Sequence, residues 1–227
     1  MTSIGSPSPF FLAGKKAYEV ERSLRFNAAD SAYLTRNTAA GNRRKFTISV
    51  WIKRAKFASQ QIFVSTGDDG SNQGGLQFFS GDTLNFFSTI GNTYYQLTTT
   101  QVFRDPSAWY HIVAVFDTEN STSGDRIRLY VNGARITAFG TETQPSQNYD
   151  SFWNQSGKGI SLGIYEPSNS GLPLGGYMAE INFIDGQAYD QSYFGETDAL
   201  TGQWIPKKYT GSYGTNGFYL NFSDNSA

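Results

Sequence analysis

The stretch Trp109-Tyr-His-Ile-Val-Ala-Val-Phe-Asp117, a polar connection, and Arg126-Ile-Arg-Leu-Tyr-Val-Asn-Gly133 decides the fold. Two runs rich in β-branched and aromatic residues flank a segment of Ser, Thr, Asn, Gly and Asp, which is the pattern of a β-hairpin. Alternation places Tyr110, Ile112, Ala114 and Phe116 on one face of the first strand, with Trp109, His111, Val113 and Val115 on the other. In the second strand Ile127, Leu129 and Val131 share a face, opposite Arg126, Arg128 and Tyr130. Asn132-Gly133 supplies the positive-φ residues of a tight turn into Arg135-Ile136.

The same pattern extends outward in both directions. Phe46, Ile48, Val50 and Ile52 alternate with Thr47, Ser49, Trp51 and Lys53, as in an antiparallel strand with one face on a core. Earlier strands are predicted at Ser23–Phe26 and Ala32–Thr35. Four more follow at Gln61–Ser65, Leu76–Ser80, Leu84–Ser88 and Tyr94–Thr98, with turns at Asp68-Asp69-Gly70, Gly81-Asp82 and Gly91-Asn92. After the hairpin comes a long loop from about Ala138 to Lys158, then a strand over Gly159–Tyr165 and a Gly/Pro/Ser loop over Glu166–Gly176. The strand Tyr177–Ile184 is expected to turn Ala179, Ile181 and Phe183 inward, with Glu180 and Asn182 outward. A short helix is predicted near Gln191–Phe194 and a terminal strand at Gly217–Phe222. The first and last strands carry matching apolar faces and are expected to lie side by side. No helix of ordinary length is readable, so the fold class is all-β, a two-sheet antiparallel sandwich.

Composition narrows the function classes. The chain has 227 residues, enough for a sizeable core, and no cysteine, which removes disulfides and thiolate metal sites. A net charge of −1 with only short basic clusters gives no footprint for nucleic acid. No apolar run reaches the ~20 residues of a membrane span, and the N-terminus lacks the basic and apolar regions of a signal peptide. Residues 1–18 form an arm holding one apolar knot, Phe10-Phe11-Leu12, which is a candidate assembly anchor. Residues 19–190 form the sandwich, and 191–227 close it with a terminal strand.

Four segments in order resemble laminin-G-like domains of the concanavalin A-like jelly-roll class. They are Phe46-Thr-Ile-Ser-Val-Trp-Ile-Lys53, Trp109–Asp117, Arg128-Leu-Tyr-Val-Asn-Gly133 and Gly176-Tyr-Met-Ala-Glu-Ile-Asn-Phe-Ile-Asp185, preceded by Ser23–Phe26 and Ala32–Leu34. The resemblance covers about residues 20–190 and implies a jelly roll. The C-terminal stretch from Phe194 to Asp224, through Gly202-Gln-Trp-Ile-Pro206, resembles a segment that accompanies this domain in tailed-bacteriophage structural proteins. That implies a virion location, contacts with other virion proteins and with copies of the chain, and attachment to a host-surface glycan. A free-standing lectin-like module is the alternative, and a glucanase-type hydrolase is a third.

Catalysis finds little support in the residues. Retaining glycosidases of this class need paired carboxylates roughly 5–5.5 Å apart on one strand. The nearest match, Glu180-Ile-Asn182-Phe-Ile-Asp185, has an amide at its centre and its last acid in a turn. His111 is the single histidine, and no Gly-x-Ser-x-Gly elbow accompanies it. The expectation is therefore a non-enzymatic protein with no cofactor. Family resemblance allows calcium, with Asp68, Asp69 and Asn72, or Asp117 and Asp125, as oxygen donors. Trp51, Trp109, His111 and Tyr130 share the face away from the core and are the candidate ligand-binding residues, because flat aromatic area suits a sugar ring or a neighbouring subunit. Tyr94, Tyr95 and Trp153 are secondary candidates.

Overall fold

The computed structural model describes residues 18–166 and 171–223. In chain order the strands are β1 (Leu24–Phe26), β2 (Leu34–Asn37), β3 (Lys45–Arg54), β4 (Gln61–Asp69), β5 (Asn72–Phe78), β6 (Thr83–Ile90), β7 (Thr93–Val102) and β8 (Tyr110–Asp117). They continue with β9 (Ile127–Val131), β10 (Ala134–Arg135), β11 (Phe139–Thr143), β12 (Gly159–Leu162), β13 (Gly176–Asp185), β14 (Gly195–Thr197), β15 (Trp204–Pro206) and β16 (Phe218–Leu220). The helical elements among the described residues are two three-residue 3-10 turns, Ser123–Asp125 and Gln191–Tyr193.

Two antiparallel sheets form the sandwich. The first runs β1-β13-β3-β8-β9-β10 with β16 also on β13, and the second runs β11-β7-β6-β5-β4-β12-β2. Between them Phe46, Ile48, Val50 and Ile52 of β3 and Ile112, Ala114 and Phe116 of β8 meet Leu76, Phe78, Leu84, Phe86 and Leu97 from the second sheet. The hairpin alternation is borne out, and Asn132 and Gly133 take φ of 47° and 82°, as its tight turn requires. Trp153, one of the secondary candidates, lies fully inside this core, stacked on Phe183 and tilted against Phe46, and is not available to a ligand.

Three expectations need correction. First, β1 and β16 do not pair with each other: they sit end to end on one edge of β13, at Gly176–Met178 and Ile181–Phe183 respectively. Second, β13 carries a bulge between Ala179 and Asn182, with Glu180 at a φ of 50°. An extra residue in one strand reverses the side-chain parity, so Met178 rather than Ala179 joins the core, while Ala179 pairs across from outward-facing Trp51. Third, the segment expected as one loop from Ala138 to Lys158 contains β11, which adds an edge to the second sheet beside β7.

The bulge also organises both chain ends. The Glu180 carboxylate, nearly buried, accepts from the Tyr18 hydroxyl at 3.0 Å and lies 2.9 and 2.8 Å from that of Tyr219. Burial, with the Tyr18 and Glu180 contacts, pushes the Tyr219 phenol far above its ordinary value. Elsewhere, the wholly buried Arg54 donates to Asp82 at 2.9 Å and stacks on Phe78 and Phe57, tying the end of β3 to the β5–β6 turn.

Candidate functional site

Many of the outward residues of the first sheet do not reach solvent as the alternation suggests. Val113, Val115, Tyr130 and Ile184 form a second apolar cluster with Phe194 and Tyr209, which the chain after β13 folds back over them. His111 is 1% exposed and Tyr130 7%. The expectation that these two offer ring surface to a ligand is therefore corrected. The cover comes from residues beyond the sandwich, and strand alternation carries no information about it.

His111 works instead as a hub beneath that cover. The Trp204 indole N–H can only donate, and it bonds the His111 Nδ1 at 2.9 Å. The Nε2 side therefore carries the proton and faces the Ser49 hydroxyl at 2.9 Å. Trp51 stacks on the imidazole, rings 4.8 Å apart and 18° from parallel. Burial lowers the imidazole to about 3, so it is neutral at ordinary pH. Trp204, which the sequence reading did not single out, lies against Gly133 and Gly195, where a Cβ on either would strike its ring. Gly133 thus serves both the positive-φ turn and the seat of an indole.

Trp51 and Trp109 remain half-buried and form a ridge between two grooves. One, of about 300 Å3, runs along Val20–Ser23 to Ala179 and Pro206. The other, of about 550 Å3, lies between the ridge and the β14–β15 hairpin. The Trp51 Nε1 is enclosed and has no hydrogen-bond partner.

A third groove, of about 260 Å3, lies on the outer face of the second sheet. Its floor is a relay of amides across neighbouring strands. Gln60 donates to Gln77 at 2.9 Å, Gln77 to Asn85 at 2.9 Å, and Asn85 to Gln96 at 3.1 Å and Thr98 at 2.9 Å. Gln73, nine-tenths buried, donates to the Gly70 carbonyl at 2.7 Å and leaves its Oε1 without a partner. Rings of Phe87, Tyr94 and Tyr165 stand beside the amides, with Phe87 and Tyr94 6.0 Å apart. Phe87 lies close because Gly75 faces it across the ladder with no side chain. Of these residues the sequence reading named Tyr94 only. The available signal was parity, since Gln73 and Gln77 share one face of β5 while Asn85 and Phe87 share one face of β6. Tyr95, also a secondary candidate, turns to the other side and packs on Tyr149 at 4.5 Å.

The acids flagged for catalysis or calcium hold the chain together. Asp185 accepts from the Asn42 N–H at 2.8 Å, the Asn154 amide at 3.1 Å and the Asn216 N–H at 3.1 Å. Asp69 accepts from the Ser71 and Asn72 N–H groups, and these bonds hold its carboxyl below the usual range. Asp68 pairs with Lys158 at 2.7 Å, Asp117 lies 3.8 Å from Lys45, and Asp125 pairs with Arg135 at 2.5 Å. Among the described residues no group of three or more His or acidic side chains is placed to hold a metal. Phe10, Phe11 and Leu12 lie outside the described residues.

Solved structures share the fold at low identity. The heptameric SAP-like pentraxin of Limulus polyphemus aligns with a TM-score of 0.53 and 13% identity, over 89% of this chain and 96% of that one. Domain 4 of AbnA, an extracellular arabinanase from Geobacillus stearothermophilus solved with arabinotriose, aligns at 0.56 and 14%, over 75% and 73%. Tailspike protein 2 of an Escherichia coli bacteriophage aligns at 0.52 and 16%, over 76% of this chain but 23% of the tailspike. No curated protein sequence matches significantly. The sequence model of the laminin-G-type branch matches residues 27–190, most of the chain, and with the two-sheet sandwich it shows that this protein belongs to the concanavalin A-like lectin/glucanase superfamily.

Proposed function

We propose that the chain is a non-enzymatic binding module of a tailed-bacteriophage virion, a tail-fibre, tail-associated or capsid-surface protein that attaches to host-surface glycans. The observation carrying the glycan reading is the amide relay beside Phe87, Tyr94 and Tyr165 on the second sheet. Amides donate and accept in fixed directions, and rings supply flat apolar area, which together match the hydroxyls and C–H faces of a sugar. The likeness to a domain solved with arabinotriose agrees with this reading, and the engagement of Glu180 and Asp185 by structural partners argues for binding rather than hydrolysis.

The virion setting rests on the resemblance of residues 194–224 and on the shared fold with a tailspike. The partners would be other virion proteins and further copies of the chain, with Phe10-Phe11-Leu12 as the anchor. A lectin-like module unconnected with a particle would use the same groove. Mass spectrometry of purified particles separates the two, since the chain must copurify with them, and deletion of residues 1–17 should then release it. For the groove, a glycan array probed with the full chain should give ligands whose binding falls at least about tenfold in Tyr94→Ala. Tyr94 is 39% exposed, so the fold should be unaffected. Array binding that ignores Tyr94→Ala and Gln96→Ala would discard this groove.

A further inference from the structure

The hairpin β14–β15 lies beyond the family-matched residues 27–190, and it creates the largest of the three grooves against the first sheet. Trp51, Trp109 and Trp204, three of the chain's four tryptophans, line it together with Asn132, Thr197 and Gln203. We propose that this groove is a separate binding site for a neutral saccharide unit, on the opposite side of the sandwich from the amide groove.

The chemistry of the lining selects the ligand class. No charged side chain lines the groove, so an anionic sugar or a phosphate would lose water without gaining a counter-charge. Indole faces offer the apolar area that pyranose C–H faces prefer. The polar groups are uncharged and free. Asn132 uses its Oδ1 to accept the backbone N–H of His111 at 2.8 Å, which leaves its NH2 group for a ligand. The Thr197 hydroxyl and the Gln203 amide make no hydrogen bond to the described residues, and both residues are exposed.

The site is also built before any ligand arrives. Trp204 is fixed by its bond to His111 and by Gly133 and Gly195 beneath and beside its ring, and Trp51 is fixed by stacking on the same imidazole. A surface that holds its aromatic rings in place loses little entropy on binding. Gly133, Ala134 and Gly202 keep the walls low, so a ring can reach the indoles.

The test reads tryptophan directly. The fourth tryptophan is buried in the core and the amide groove contains none, so indole emission reports the two grooves that share Trp51 and Trp109. Gln203, which lines only the larger, assigns a signal to this one: a shift lost in Trp109→Ala but kept in Gln203→Ala places the sugar in the smaller groove and overturns the proposal. The full chain is titrated with maltotetraose, cellotetraose, mannotriose and galactobiose, with 3′-sialyllactose as the anionic control, up to about 10 mM. At least one neutral sugar should shift the emission saturably. Trp109→Ala and Gln203→Ala should weaken that binding, by about tenfold for the tryptophan, while Tyr94→Ala should not. Gln203 is exposed, so its variant keeps the test valid if Trp109→Ala disturbs the fold. An emission unmoved by all four neutral sugars overturns the proposal. So does a shift lost in Tyr94→Ala but kept in Trp109→Ala and Gln203→Ala, which would place the sugar in the amide groove. Because the two grooves share no residue, either site can fail without the other.

Discussion

On the first sheet the outward apolar residues of β8 and β9 are Val113, Val115 and Tyr130, and the chain's own C-terminal segment covers them. On the second sheet the outward residues of β5, β6 and β7 include Gln77, Asn85 and Phe87, which are 1–5% exposed on the floor of a groove, with half-buried Gln96 and exposed Tyr94 at its rim. The difference follows from what water does to each surface. Exposed valines cost about 25 cal/mol for every Å2 left wet, so a face built from them needs a lid. Amides that bond one another across strands are satisfied without a lid, and a ligand can compete for the remaining lone pairs. The covered face contributes mostly stability, while the grooved face is the one on which the proposed glycan reading rests.

Removing the lid should break this contrast most strongly. Phe194 is 2% exposed in the second apolar cluster, stacked on Tyr209 at 5.3 Å. Phe194→Ala should cost about 3–5 kcal/mol, read as a lower urea midpoint, and should raise binding of a hydrophobic dye. A loss below about 1 kcal/mol would mean that the lid is not energetically part of the fold.

The buried histidine sharpens the contrast through pH. Burial disfavours the charged form of His111 and lowers the folded imidazole to about 3, against an ordinary 6.5. Between those values the unfolded chain binds the extra proton, so stability is fully present above pH 6.5 and falls as the pH drops toward 3. From pH 7 to pH 5 the loss from this one group is about 2 kcal/mol. Carboxyls held low by their partners, such as Asp150 hydrogen-bonded to Arg44, act only further down, below about pH 4. A His111→Gln variant should therefore flatten the profile between pH 7 and 5, and an unchanged slope in that variant would exclude His111 as its source.

How much of this was readable in advance depends on where each signal lies. Phe46 to Ile52 and Ile112 to Phe116 alternate within single strands, and those parts of the fold follow directly. Phe139-Gly-Thr-Glu-Thr143 has one apolar residue and lies at a sheet edge, so β11 offers no pattern to detect. The parity change in β13 depends on Glu180 adopting a φ of 50°, which hydrophobic periodicity does not encode. Trp51 and Trp109 were found because they fall outward on readable strands. Trp204 escaped because its importance comes from a contact with His111, 93 positions away in sequence. The amide groove escaped for a related reason. Gln77 opposite Asn85 and Phe87 opposite Gln96 are matters of cross-strand register, which a strand-by-strand reading does not supply.

Two adjacent glycines give the finest comparison between inside and outside. Gly74 and Gly75 sit next to each other in β5 and point to opposite faces. A Cβ on Gly74 would strike the Trp153 indole, which is wholly buried and cannot retreat. A Cβ on Gly75 would come within 2.6 Å of Phe87 and 2.7 Å of Ile62, which are buried too, but these contacts are with the far ends of side chains. Gly74→Ala should therefore lose about 2 kcal/mol through overpacking. Gly75→Ala should lose less than Gly74→Ala, by about 1 kcal/mol, because a strand gains from replacing glycine and the ends of side chains give way more readily than a fixed indole. Binding in the amide groove should show the reverse order. Gly75→Ala displaces the ring that flanks the amides and should weaken array ligands several-fold, while Gly74→Ala, once folded, should leave them unchanged. Equal urea midpoints for the two variants would mean that the groove floor is packed as rigidly as the core, and Phe87 would then be a structural ring rather than part of a binding surface.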